Sequence, residues 1–182
     1  MKSFRLSSFF LSFFLFFSCS QSLDFDQIEA YTMKPTISAS LAFFKIDATN
    51  FSAPLGTPIV TEITEIVDFK LFESSFIKEH IVKLDFEFVV SNEFNRALTL
   101  EILLLDGNDR LIYKFSDLNI SANNLDFMQK EVIDIAANQN VTNFTRVSFT
   151  ISLDDKSTPL VASDLGEFEF KSATTIYLET AI

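Results

Sequence analysis

"IVKLDFEFVVS", Ile81 to Ser91, decides the fold. Val82, Leu84, Phe86, Phe88 and Val90 fall on one parity, and Lys83, Asp85, Glu87 and Ser91 on the other. A strand turns successive side chains to opposite faces, so this alternation predicts a strand with one face in a core and one in water. The same period extends in both directions. "ALTLEILLL" places Leu98, Leu100, Ile102 and Leu104 together, and after "DGND" the run "RLIYKFS" resumes with Leu111, Tyr113 and Phe115. Two alternating runs around Asp106-Gly107-Asn108-Asp109 predict a β-hairpin. "TRVSFTISL" sets Val147, Phe149, Ile151 and Leu153 against Arg146, Ser148, Thr150 and Ser152. Phe86, Phe88, Val147 and Phe149 are thus predicted to share one interior.

Weaker runs lie at Ile37–Asp47, Ile59–Phe72, Phe127–Ile135 and Phe168–Leu178. The second is long for one strand, and a bend or break near Ile66 is expected. "AANQNVTNF", Ala136 to Phe144, has room for one helical turn. No long amphipathic helix alternates with the strands, as a parallel α/β sheet would require. The expectation is an all-β chain: a single antiparallel two-sheet β-sandwich, immunoglobulin-like or related, of about eight strands. A closed barrel is the alternative.

The N-terminus reads differently. Lys2 and Arg5 precede "FFLSFFLFF", Phe9 to Phe17. That run is too short to cross a bilayer, which takes about 20 apolar residues as a helix. A charged head, a short apolar run and a small residue before a cut describe a secretory signal peptide. The lone cysteine, Cys19, follows directly, and Leu15-Phe16-Phe17-Ser18-Cys19 resembles the lipobox of bacterial lipoproteins. Phe16 and Phe17 depart from the commonest residues of that pattern, while Ser18 and Cys19 fit it. The Phe-, Ile- and Asn-rich style is similar to that of flavobacterial (Bacteroidetes) lipoproteins. The resemblance implies cleavage between Ser18 and Cys19, lipidation of the Cys19 thiol, and attachment to a membrane through acyl chains. Each buried lipid methylene contributes about 0.8 kcal/mol, and stable attachment takes more than one chain.

The expected organisation is then a removed signal peptide over 1–18, a lipidated cysteine and short tether over 19–36, and a sandwich domain over 37–182. Ser20 after the cysteine leans toward the outer membrane by the sorting rule of Gram-negative lipoproteins. Asp24 and Asp26 stand too late and too far apart for a surface-export signal, which favours the periplasmic face.

Loss of residues 1–18, with Lys2 and Arg5 and no acid, takes the formal charge from −11 to −13. Such a surface repels nucleic acid. Seven of the 23 phenylalanines leave with the leader, so the others must build the core, since tryptophan is absent.

No catalytic, cofactor or metal residue is expected. His80 is the sole histidine. A triad needs a base beside a nucleophile, and a metal site needs several ligands. Its parity with Val82 and Leu84 places it at the rim of the core face. Asp106 and Asp109 carry oxygens suited to calcium, but Asp, Gly and Asn are also what a tight turn requires. Only three glycines occur, and no phosphate loop or nucleophile-elbow motif. The expected function is a membrane-anchored envelope lipoprotein whose sandwich is a non-catalytic binding or scaffolding module for an envelope protein or a glycan. The alternatives are a carrier of small apolar ligands and a carboxylate-based hydrolase on the same tether.

Overall fold

The alternation at 81–91 becomes a twelve-residue strand in a computed structural model of the chain, which describes residues 32–51, 60–157 and 160–181. Contacts gather Met33–Thr180 into one compact unit, and the description concerns that unit. Among the described residues nine strands of three or more residues occur. They are β1 (Thr36–Asp47), β2 (Glu62–Asp68), β3 (Ile81–Asn92), β4 (Leu98–Leu105) and β5 (Leu111–Lys114). β6 (Leu118–Ile120), β7 (Phe127–Asp134), β8 (Arg146–Leu153) and β9 (Glu167–Leu178) complete the set. One α-helix, α1 (Ser75–His80), precedes β3.

The strands form two antiparallel sheets, one ordered β1-β9-β3-β7 and the other β2-β8-β4-β5, with β6 also paired to β4. The protein is therefore an all-β sandwich. β5 and β6 lie successively along β4, so they act as one strand interrupted at Phe115–Asp117. Counted that way there are eight strands. Their order is that of a double Greek-key jelly roll, a relative of the immunoglobulin sandwich with different connections.

The expected core faces meet in the middle. Leu84, Phe86, Phe88 and Val90 of β3 are fully buried, as are Leu98, Leu100, Ile102 and Leu104 of β4 and Val147, Phe149 and Ile151 of β8. Phenylalanine rings join the sheets. Phe149 of β8 lies 4.9 Å from Phe170 and 5.8 Å from Phe44 of the opposite sheet. Phe115 lies 5.0 Å from Phe86 and 5.3 Å from Phe88, both edge to face. Such geometry is worth about 0.5–1.5 kcal/mol per pair beyond the area removed from water.

Three parity expectations are corrected by bulges or ends. Val82 is exposed and Ile81 buried, because Lys83 pairs Tyr177 while Ile81 pairs Leu178, leaving Val82 as an extra residue. Leu111 is likewise exposed, since the pairing skips Ile112 between Leu104↔Tyr113 and Leu105↔Leu111. His80 closes α1 rather than starting β3, so strand parity does not place it. The long run breaks just past Ile66: β2 ends at Asp68, and the Phe69 N–H donates to the Thr145 carbonyl at 2.6 Å.

Connections gather at the two ends. One end holds 93–97, 121–126 and the approach to β9. Asn92 organises it. Fully buried, it donates Nδ2 to the carbonyls of Arg96 (2.8 Å) and Ser121 (3.0 Å), and its Oδ1 accepts the Phe94 N–H at 3.1 Å. Gly166 is required there. Its φ is +104°, and a Cβ would stand 2.9 Å from the Glu93 Cβ. The other end holds 69–80, 106–110 and 135–145, packed by Phe69, Phe72 and Phe144. The chain also enters β1 at this end, where the Pro35 carbonyl accepts the Leu178 N–H at 3.0 Å. Among the described residues no helix is long and apolar enough to cross a membrane.

Candidate functional site: the outer face of the four-stranded sheet

The polar parity of β3 faces outward beside those of β1, β9 and β7, and register fixes the neighbours. One rung across this face reads Met128, Val89, Lys171, Phe43. Phe43 is 59% exposed and Met128 63%, with Val89 half-buried between them. Val132, two rungs along β7, is 53% exposed. Phe43 faces out because β1 carries a bulge. Ser172 pairs Ala42 and Ala173 pairs Ser40, so Leu41 is extra and the parity changes there. Ser172 Oγ fixes the bulge by accepting the Ala42 N–H at 3.1 Å. A shallow depression of about 310 Å³ lies beside the rung, lined by Ser40, Phe43, Glu87, Val89, Lys171 and Ala173.

Charges frame the rung, and one of them, Lys171, stands within it between Phe43 and Val89. Lys171 pairs with Glu169, and Lys45 with both Glu167 and Glu169. Hydrogen bonds from these lysines, Lys171 first, hold the Glu169 carboxyl below its usual range. On the other side Asp85 is a carboxylate on the outward parity that is nonetheless only 6% exposed. Its Oδ2 accepts from Tyr177 Oη and Lys130 Nζ, each at 3.0 Å. Oδ1 has Lys83 Nζ at 3.2 Å as an ion pair without an aligned hydrogen bond. The same Nζ sits 3.6 Å above the Tyr177 ring. Burial pushes the Asp85 carboxyl up, but the hydrogen bonds from Lys130 and Tyr177 and the nearby Lys83 charge outweigh it, and the net shift is downward. Asp85 thus clamps two lysines and a tyrosine flat onto the sheet.

The residues singled out in the sequence are dispersed. Ser18 and Cys19 lie outside the described residues. His80 donates Nδ1 to the Phe76 carbonyl at 2.8 Å and stacks on the Phe76 ring at 4.5 Å. Asp106 serves its own turn, its Oδ1 accepting the N–H groups of Asn108 (2.8 Å) and Arg110 (2.9 Å). Those backbone bonds, Arg110 first, lower its pKa. Asp109, at φ 60°, takes the left-handed position of the hairpin and pairs with Arg146. Among the described residues no three His, Cys, Asp or Glu side chains converge on a cation position. The outer rung was missed because the chain writes it on four strands distant in sequence. The one local sign is adjacent Phe43-Phe44, where a bulge lets both rings be used.

No known family and no curated protein matches the sequence. Among solved structures, one similar chain is given as a secreted protein of Parabacteroides distasonis, at TM-score 0.48 and 11% identity over 63% of this chain. Another is the infectious bursal disease virus VP2 subviral particle, at 0.39 and 14% over 82%. A third is the enzymatically active domain of bacteriophage CBA120 tailspike protein 4, at 0.36 and 10% over 84%. This chain spans 37%, 33% and 20% of the lengths of those chains. The likenesses are too distant to assign an activity.

Proposed function

We propose that this chain is a lipid-anchored protein of the cell envelope whose sandwich is a non-catalytic docking module. The partner is a membrane-held protein, and it seats on the outer face of the four-stranded sheet. The observation that carries the reading is the rung Phe43–Val89–Met128. Single exposed apolar residues are ordinary on any surface. Exposed apolar side chains of this size on a rigid sheet, with the ion-paired Lys171 standing between Phe43 and Val89, form a mixed apolar and charged surface of the kind interfaces use. Methionine adapts its shape to a partner. The lysines of this face also offset its acids, so a negatively charged neighbour approaches here against less repulsion than elsewhere on a chain of formal charge −11.

The anchor is Cys19, cut from the leader after Ser18, in the outer membrane with the periplasmic face preferred. From Cys19 to Met33 the chain, even fully extended, reaches no more than about 50 Å. That confinement raises the effective concentration of the module near other anchored components. An apolar-ligand carrier would need open space between the sheets, which Phe86, Phe115, Phe149 and Phe170 fill.

Two measurements test the proposal. Cys19→Ser should abolish incorporation of a labelled fatty acid and block removal of the leader; a Cys19→Ser protein that still matures and carries the label would refute the anchor. Phe43→Ser/Met128→Ser should fold as wild type but lose the partner that co-purifies with the lipidated form. Undiminished recovery would refute the docking face.

A further inference from the structure

We propose that a second site, at the end of the sandwich where the 135–145 connection lies, binds an uncharged saccharide. β5 and the segment 136–141 enclose a depression of about 440 Å³, walled chiefly by Ile112, Tyr113, Asn138, Gln139, Asn140 and Val141. Ligand pockets commonly span roughly 300–1,000 Å³.

The walls select the ligand. No lysine, arginine or histidine lines the depression, and the chain as a whole is acidic. A phosphate or carboxylate would enter a negative field with no cation to meet it. A wholly apolar ligand fits no better, since it would strip water from three primary amides and return no hydrogen bond. Those amides are the distinctive feature. Asn138 donates Nδ2 to the Asp134 carbonyl at 3.2 Å and keeps its oxygen as an acceptor. Gln139 and Asn140 are exposed, and among the described residues their side-chain amides have no hydrogen-bond partner. A primary amide offers a donor and an acceptor side by side, the pattern that neighbouring hydroxyls on a sugar ring satisfy.

The opposite wall suits the C–H face of such a ring. Tyr113 and Ile112 are half-buried and apolar along their length. Tyr113 cannot swing away, because its hydroxyl donates to Glu131 Oε1 at 2.9 Å, tying β5 to β7 across the sheet gap. Burial and then Glu131 push the Tyr113 pKa up, so the wall stays neutral. Ala136 and Ala137 stand exposed at the mouth, which leaves it open to a segment of a longer glycan.

The site lies at the end of the sandwich and not on the outer rung, so its failure would leave the docking proposal standing, and the reverse. The test uses the full chain in a zwitterionic detergent that carries no sugar headgroup. Saturation-transfer NMR is run with maltotriose, mannotriose and triacetylchitotriose, and with trigalacturonate as the anionic control. At least one neutral trisaccharide should bind with a Kd of about 1 mM or tighter, and trigalacturonate at least about tenfold more weakly. Gln139→Ala/Asn140→Ala, at two exposed positions, should weaken the neutral sugar about tenfold. Met128→Ala, on the outer rung, should leave it unchanged. No binding of any neutral trisaccharide, equal binding of trigalacturonate, or full binding by the double variant would each overturn the proposal.

Discussion

Asn92 and Asp85 show how far a single side chain departs from the rule that wrote its strand. Both lie on β3, one at the end of the apolar parity and one within the polar parity, and both are buried. Asn92 belongs inside because three backbone groups of two loops converge on it. Asn92→Ala strands those groups without water, and each buried unpaired group costs about 1–3 kcal/mol. We expect a loss of about 3 kcal/mol in chemical denaturation, a large share of the roughly 5–15 kcal/mol of a typical domain; a loss below about 1 kcal/mol would show that the loops hold without it. Asp85 is buried because Lys83, Lys130 and Tyr177 fold over it, and alternation alone records only that it points outward. Its folded pKa is depressed. The stability it adds is therefore fully present above the unfolded value of about 3.9 and is lost as pH falls through the folded one. Asp85→Asn should lower stability at pH 7 by about 2 kcal/mol, and the gap to wild type should close on acidification below about pH 4. A gap that stays constant into acid would mean that the carboxylate charge contributes nothing.

Most strands were legible because a half-buried strand repeats every two residues and nothing else does. What escaped was each place where the count slips. At Val82 and Ile112 an extra residue reverses the faces, so Val82 and Leu111 turn outward. On β1 the slip at Leu41 is written in the sequence: Ile37, Ala39 and Leu41 share one parity, and Ala42, Phe44 and Ile46 the other. That switch is why the run looked weak. α1 spans six residues and β6 three, too short for any period to show. The bulge at Val82 has a direct test. Val82→Ala should leave stability within about 0.5 kcal/mol, while Leu84→Ala, fully buried, should cost about 2–5 kcal/mol. Equal losses at both positions would place Val82 in the core and remove the bulge.

Strand order is a property of the whole molecule, and local patterning does not contain it. Thr36 of β1 pairs with Tyr177 of β9 across almost the whole described chain, and a period of two names no partner. The sandwich was therefore readable and the jelly-roll order was not. The docking face has the same origin, since its rung takes one residue from each of four strands. The stretch that resembles a lipobox is contiguous, so the resemblance needs no strand pairing to be noticed; it lies outside the described residues. The central claim is that this anchored sandwich holds its partner on that rung. Site-specific photocrosslinking in whole cells tests it most directly, with the photoreactive residue placed in turn at Phe43, Met128, Val132 and, on the hairpin at the end of the molecule, Asn108. The account predicts one envelope protein crosslinked from Phe43, Met128 and Val132, absent from Asn108, and lost when Cys19→Ser removes the lipid anchor. Crosslinks as strong from Asn108 as from the rung, or none from the rung with the anchor intact, would contradict it.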